Sequence, residues 1–520
     1  MKRCTPLMRV LAVAGIGCAL LVPTAQAALT LTPTINSWNG GFCVSAMIAN
    51  TSSTPGGAWT MTFELPGGQV TSSWNATFTN TGASYTAKGL NWNSPPQANQ
   101  QFEVGFCGNG TAPLATAFKL TEDGTGGGGG GGGSPGGGTG GGTPSDDLNI
   151  GPKGDFKPPF SINGNKIVDA NGTPVSMRGV NWFGFETPDG IAHGLWSRGY
   201  KDMIQQMQDL GFNAVRLPFC PKALRATAIT GGVQYPLNPD LQGKTPLQAM
   251  DRLIGEMASR GMYVLLDHHR PDCNAISTTP QIPGYSLDDW VNDLVFVANR
   301  YKNVANVIGI DLKNEPHSDF GQGARWGTGD ITNDWKLAAE RAGAAVLAAN
   351  PKALIFVEGV SGNNGVCESA YGHWWGGNIE PVECYPIDPA KIPRSKLVLS
   401  PHIYGPDVAA QSYFAASAGF PDNMPGIWQQ HFGRFMGSYA VVLGEFGGKF
   451  GGADQVWQTR FVDWLKCKGV RNFFYWSWNP NSGDTGGILQ DDWRSVNTGK
   501  YNNLKRLWDG SATNTGICTP

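Results

Sequence analysis

The stretch Val307-Ile308-Gly309-Ile310-Asp311-Leu312-Lys313-Asn314-Glu315-Pro316-His317 begins as a buried strand and ends on polar side chains and a chain-breaking proline. An apolar run this short, followed by turn residues, predicts a strand over 307–312. Glu315 then has two readings. Either it marks where the strand reaches water, or the strand exists to hold that carboxylate in place. What the other strands end on decides between them.

Working outward, apolar stretches of similar length stand at 176–182, 214–218, 263–268, 354–358, 397–402, 441–445 and 473–478, which with 307–312 makes eight. Amphipathic helical patterns fall between them, among them 200–210, 247–260, 287–301, 334–349, 427–439 and 455–467. Eight β/α units in roughly 370 residues favour a closed (β/α)8 barrel, with an open doubly wound sheet carrying an edge extension as the alternative. No Gly-x-Gly-x-x-Gly follows the first strand, so a dinucleotide fold has little support.

In a barrel the C-terminal strand ends assemble the active site. Here they carry Asn181 and Trp182, Arg216, His268 and His269, Asn314 and Glu315, Glu358, His402 and Tyr404, Glu445, and Trp476. One strand ending on a polar group means little, but nearly all eight do so. Glu315 and Glu445 lie on strands four and seven, which can face each other across the barrel mouth. Two carboxylates flanking a cleft are what glycosidic cleavage needs, one to protonate the leaving oxygen and one to attack the anomeric carbon or activate water. Arg216 and the Tyr404 hydroxyl are expected to keep Glu445 ionised, and the charge of Glu445 to keep Glu315 protonated. Asn314 suits a sugar hydroxyl, and Trp476 a stacking floor for the ring. Each also has a plain structural role open to it: a salt bridge for Arg216, core packing for Tyr404 and Trp476, a strand-end cap for Asn314.

The chain has 520 residues and a net charge of −2, which gives no reason to expect nucleic acid or an acidic membrane as partner. Its 18 Trp offer flat apolar faces suited to sugar rings, although many such residues fill cores. Residues 1–27 combine a basic start, an apolar stretch from Val10 to Val22 and the ending Ala25-Gln26-Ala27, which reads as an export signal cut after Ala27. A secreted protein with no membrane association after signal removal, monomeric and without metal or cofactor, is the expectation. Ten cysteines become eight once Cys4 and Cys18 leave with the signal, an even number that favours disulfides. Cys43 and Cys107 are the only two before the linker and are expected to pair. The later six allow fifteen pairings, of which 220–273, 367–384 and 467–518 is one.

Between Gly124 and Thr143 the sequence is almost pure glycine, so residues 121–147 are expected to be a flexible tether between modules 28–120 and 148–520. A Gly-rich coil of this length spans about 25 Å. The first module has short alternating segments separated by turn signals, the pattern of an all-β sandwich, and no titratable cluster. Trp59 is in phase with Met61, Phe63 and Leu65 and reads as core. Trp38 and Trp92 stand in turn-rich surroundings, and Trp74 is ambiguous because it is in phase with Val70, Ala76 and Phe78.

The ordered motifs SWNGGF, AWTMTFELPGGQV, SSWNATF, LNWN and FEVGFCG make this segment resemble a family 2 carbohydrate-binding module. The resemblance implies a flat face of Trp38, Trp74 and Trp92 on crystalline polysaccharide, usually cellulose and sometimes chitin. The motifs RGVNWFGFET, GLWSRGY, VRLPF, LLDHHRPDC, GIDLKNEPH, SPHIY, LGEFGG and YWSWNPNSGDTGGIL resemble glycoside hydrolase family 5, near its bacterial endoglucanases. That likeness implies a secreted endo-β-1,4-glucanase acting on cellulose, with Glu315 as acid/base, Glu445 as nucleophile and configuration retained. It further implies Arg216, His269, Asn314, His402, Tyr404 and Trp476 as the surrounding site. Trp374 and Trp375 are expected to line the cleft by their loop position and similarity. After FET the chain reads PDGIAHG where relatives carry a cysteine, which leaves the partner of Cys273 open.

Rival readings are a β-mannanase, xylanase or xyloglucanase on the same barrel, a metal-dependent hydrolase using Asp267, His268, His269 and His402, and an inert polysaccharide-binding protein. The metal reading lacks a His-x-His pair on the first strand. The inert reading leaves the polar strand ends unexplained.

Overall fold

The computed structural model describes residues 29–122 except 39–40, 53, 91–92, 98–99, 111 and 114–116, and residues 151–517 except 320, 370–372 and 513–514. The expected signal and tether fall outside the described residues, and the chain divides into two compact units between Gly142 and Thr143.

The N-terminal unit is a sandwich of two four-stranded antiparallel sheets. One is ordered Leu29–Trp38, Gly41–Asn50, Gln101–Asn109, Gln69–Trp74, and the other Ala76–Thr81, Ser84–Gly89, Trp59–Glu64, Lys119–Glu122. Period-two alternation decides what is inside. Along Trp59–Glu64 the odd positions Trp59, Met61 and Phe63 are buried, and Phe63 stacks on Phe106 of the opposite sheet with ring centroids 4.3 Å apart. Cys43 and Cys107 are register partners on adjacent strands and are disulfide-bonded.

The C-terminal unit is built on eight parallel strands: Arg178–Asn181, Ala214–Phe219, Tyr263–His268, Val307–Asp311, Leu354–Val357, Leu397–Leu399, Ala440–Val441 and Phe473–Tyr475. Each pairs in parallel with its neighbour from first to seventh, and the eighth pairs with the first. A parallel bridge between Leu443 and Phe473, with the Phe474 N–H donating to the Leu443 carbonyl at 2.8 Å, closes the ring. The fold is the expected barrel.

Alternation sorts the strand residues into two layers. Ala214, Tyr263, Leu265, Ile308, Leu354, Phe356, Val398 and Phe474 pack together inside, with Phe160 and Ile167 from the hairpin Ser161–Asn163/Lys166–Val168 joining them. Val215, Leu217, Val264, Leu266, Ile355 and Leu399 pack outward against the helices. Helices Tyr200–Asp209, Pro246–Ser259, Leu287–Tyr301, Trp335–Ala349, Met424–His431 and Gly452–Cys467 lie within two or three residues of expectation at their N-termini. Pro246 and Leu287 each follow a capping box, set by Thr245 with Gln248 and by Ser286 with Asp289. The pattern over 427–439 is helical only to His431. A 3-10 turn, Gly433–Gly437, replaces its second half, because glycine at both ends of that segment disfavours continued α-helix. Among the described residues the fifth strand is followed only by the 3-10 turn Glu380–Glu383.

Cys220 bonds Cys273 and Cys367 bonds Cys384, which answers the question PDGIAHG left open. Cys467 is also disulfide-bonded, and Cys518 lies outside the described residues.

Candidate active site

The inward parity that fills the barrel with apolar side chains changes chemistry at its upper end. Two residues above Ala214 stands Arg216, two above Leu265 stands Asp267 and then His269, and two above Phe356 stands Glu358. Ser400 and His402 follow Val398 in the same way, and Trp476 follows Phe474.

Arg216 is fully buried and organises the floor. Its Nη1 donates to Glu445 Oε1 at 2.6 Å and to Asn181 Oδ1 at 3.0 Å. Nε donates to Asp311 Oδ2 at 3.0 Å, and Nη2 to Asn314 Oδ1 at 3.1 Å and Glu358 Oε1 at 3.2 Å. Nη2 also stands 3.1 Å from Asp267 Oδ1. One guanidinium thus serves four carboxyl groups from four strands. Lone ion pairs at such depth gain little over their desolvation cost, so this arrangement reads as positioning rather than stabilisation.

Glu445 receives a second donor, the Tyr404 hydroxyl, on Oε2 at 2.5 Å. Glu315 approaches from the other side. Its Oε1 lies 3.2 Å from His402 Nδ1, and its backbone N–H donates to Glu358 Oε2 at 2.8 Å. One oxygen of Glu315, one oxygen of Glu445 and a ring nitrogen of His402 all lie within 4.8 Å of one another. Burial pushes the Glu445 carboxyl up to about 8, against Arg216 and Tyr404, which lower it. Burial, and after it the Glu445 charge, pushes Glu315 well above the usual carboxyl range. The donors on Glu445 stabilise its anion, so the pair gives up its first proton from Glu445 and keeps the second on Glu315.

Of the sequence-derived residues, Arg216, Tyr404 and His402 touch this pair directly, and the others lie around those. His269 donates or accepts at Asp267 Oδ2 across 2.6 Å and stacks on Trp476 with centroids 5.6 Å apart. His268, on the outer parity, turns away to the Tyr285 hydroxyl. Trp476 stacks on Phe183 as well and donates its indole N–H to Ser482. Asn314 spends its carbonyl on Arg216, while its buried Nδ2 has no partner among the described residues, a donor left for a ligand. Trp374 is nearly buried and packs edge-on against Tyr404. Trp375 is 41% exposed and stacks on His317 at 3.7 Å, two residues along from Glu315. Trp182 is core, its indole N–H donating to the His193 carbonyl.

Asp311 and Lys313 were given no role in the site by sequence reasoning, Asp267 only that of a ligand in the rival metal reading, and Glu358 only a strand end. Parity on strands three and five was a usable signal for Asp267 and Glu358; on strand four a register shift between Val307 and Gly309 hides it for Asp311 and Lys313. Lys313 is buried, donates to the Ser277 and Asn314 carbonyls at 2.7 and 2.8 Å, and is pushed down to about 8 by burial.

In the N-terminal unit Trp74 is half-buried. Its indole lies over Gly105, where a Cβ would run into the ring, and its N–H donates to Glu103 at 3.1 Å. The missing side chain at Gly105 lets the ring lie against the outer face of the sheet. The side chain of Trp38 and all of Trp92 lie outside the described residues.

Comparison with known proteins agrees with this geometry. Residues 168–482 match the family model for cellulase (glycosyl hydrolase family 5), and residues 27–126 that for a cellulose binding domain. The major extracellular endoglucanase of Xanthomonas campestris pv. campestris is 55% identical over 360 residues, 68% of this chain and 72% of that protein. An endoglucanase of Paenibacillus polymyxa is 43% identical over 67% of this chain and 86% of its own length. The endocellulase of Pyrococcus horikoshii, solved as a variant in complex with cellotetraose, superposes with a TM-score of 0.65 at 46% identity over 68% of this chain and all of that one. The chain therefore belongs to glycosyl hydrolase family 5, as a cellulase that also carries a cellulose-binding domain.

Proposed function

We propose that the protein is a secreted endo-β-1,4-glucanase that cleaves internal bonds of cellulose with retention of configuration, Glu315 acting as acid/base and Glu445 as nucleophile. The approach of the two carboxyl groups, with oxygens within 4.8 Å, carries this reading. Retaining glycosidases hold their pair about 5–5.5 Å apart, whereas inverting enzymes leave room for a water at about 6.5–9.5 Å.

In the first step a Glu445 oxygen, held by Arg216 and Tyr404, attacks the anomeric carbon while the Glu315 proton passes to the glycosidic oxygen and the leaving sugar departs. In the second, Glu315, now ionised, takes a proton from water, whose oxygen attacks the same carbon and releases Glu445. Asn314 Nδ2 is free to donate to a hydroxyl beside the reacting carbon, where such a bond strengthens in the transition state. Trp476 offers a ring face held between neighbours.

A glucan substrate is supported by the cellotetraose held by the Pyrococcus horikoshii relative, and export by the extracellular Xanthomonas campestris one together with the N-terminal signal pattern. The binding domain would lie on insoluble cellulose through Trp38, Trp74 and Trp92, a reading supported by the half-buried ring of Trp74 against Gly105 on the outer face of the sheet. Glu315→Gln is expected to lower reducing-end release from carboxymethyl cellulose by about 10²–10⁴-fold, and Glu445→Gln to abolish it. Binding to insoluble cellulose should persist in both. Normal hydrolysis by either variant would refute the assignment.

A further inference from the structure

Glu358 ends the fifth strand, fully buried, and touches every part of the acid's surroundings. Its Oε2 accepts the N–H of Glu315, and its Oε1 accepts from Arg216. Gly376, at φ +67°, passes so close that a Cβ there would collide with this carboxyl group. Across the site, His402 presents Nδ1 to Glu315 Oε1 at 3.2 Å. Its Nε2 is buried, stands 3.2 Å from Glu358 Oε1, and makes no hydrogen bond to any described group, Glu358 included. The imidazole therefore stands between Glu315 and Glu358, with Glu445 Oε2 also 3.5 Å from Nδ1, and a neutral imidazole has one proton for two nitrogens.

The charged and titratable groups facing Glu358 are Arg216 from the second strand, Asp267 from the third, Asp311, Lys313 and Glu315 at and beyond the fourth, His402 at the sixth, and Glu445 after the seventh. Two cationic groups meet five carboxyl groups there, so the buried cluster holds protons. Burial, then the charge of Asp311, drives Glu358 upward against Arg216.

We propose that Glu358 is a positioning residue for the acid. Its protonated carboxyl donates from Oε1 to His402 Nε2, fixing the tautomer whose Nδ1–H points at Glu315 Oε1, while Oε2 holds the Glu315 backbone. The consequence is directional. With Oε1 of Glu315 occupied by an N–H, its acidic proton sits on Oε2 for the glycosidic oxygen, and the same N–H stabilises the carboxylate as that proton leaves. The inference rests on the reading of Glu315 as acid.

The test compares Glu358→Ala, Glu358→Gln and Glu315→Gln in the full chain, measuring kcat/KM against pH on cellotetraose and on 2,4-dinitrophenyl β-cellobioside, whose leaving group needs no proton. Glu315→Gln should lose cellotetraose hydrolysis and keep the aryl substrate; if it keeps both, the acid assignment itself fails. Glu358→Ala should fall about 100-fold on cellotetraose and less than about 10-fold on the aryl substrate. Glu358→Gln supplies a donor to Nε2 and an acceptor to the Glu315 N–H but forgoes the bond that Oε1 accepts from Arg216, so it should lose less than Glu358→Ala on cellotetraose and remain within about 10-fold of wild type on the aryl substrate. Its basic limb should stay where it is, because a neutral group has replaced a neutral group.

The proposal is overturned if Glu358→Ala loses both substrates equally, which a merely structural role predicts, or loses neither. It is also overturned if the basic limb of Glu358→Gln moves down by about one unit. That shift is what removing an ionised carboxylate would cause, since the Glu315 anion would then be easier to form. Should Glu358→Ala fail to fold, the limb of Glu358→Gln decides alone.

Discussion

Glu315 adopts φ +52°, a backbone conformation that costs a non-glycine residue about 1–3 kcal/mol and persists only where its surroundings over-determine it. The Glu358 carboxyl on its N–H and the close pass of Gly376 supply that determination. Holding a buried proton there has a cost that depends on pH. The folded-state pKa of Glu315 is raised well above its ordinary 4.5, so as pH rises past that ordinary value the native state keeps a proton the unfolded chain has released, and stability falls as pH rises. Asp311, pushed to about 8, and Asp267, to about 6, act in the same sense. Thermal melts should give a lower Tm at pH 8 than at pH 5, and Glu315→Gln should lose part of that fall. An identical fall in both proteins would count against a raised Glu315. At this scale the sequence was informative where motif and strand end coincided, as for Arg216, Glu315 and Glu445. For Glu358 it offered only a polar strand end and no role, because its partners are a backbone N–H and an imidazole 43 and 44 residues away in sequence.

Strand alternation was the most legible signal at the scale of elements. It explains why His269 and not His268 faces Trp476, since His268 shares the outward parity of Val264 and Leu266. Helix ends were less legible, because Gly433 and Gly437 interrupt a pattern whose apolar spacing continues to Tyr439. In the binding domain, phase alone left Trp74 ambiguous. A register shift between Val70 and Ser72 breaks the alternation that would have counted it, and the glycine beneath its ring is on another strand. Gly105→Val should lift that ring off the sheet. Adsorption isotherms on microcrystalline cellulose should then show affinity reduced by about tenfold, with unchanged activity on carboxymethyl cellulose. Unaltered adsorption would remove Trp74 from the binding face.

For the whole molecule, the division of labour follows from composition. The N-terminal unit has few ionisable side chains, whereas the barrel brings Arg216, Asp267, Asp311, Glu315, Glu358 and Glu445 together at one end of its strands. A tether raises the concentration of one unit near what the other holds without adding a contact. Deleting residues 28–122 should leave kcat on soluble cellulose derivatives unchanged and lower the rate on insoluble cellulose at low enzyme loading; equal rates on the insoluble substrate would contradict a targeting role. Fold class and domain order were readable because periodicity and a glycine run are local signals. The separation of Glu315 from Glu445 was not, because it depends on how eight strands close. That separation bears most directly on the mechanism. Proton NMR of cellotetraose hydrolysis, recorded before mutarotation, should show the β-anomer of the new reducing end appearing first, with the α-anomer following slowly. An α-anomer formed first would mean inversion and would contradict the account of Glu445 as nucleophile.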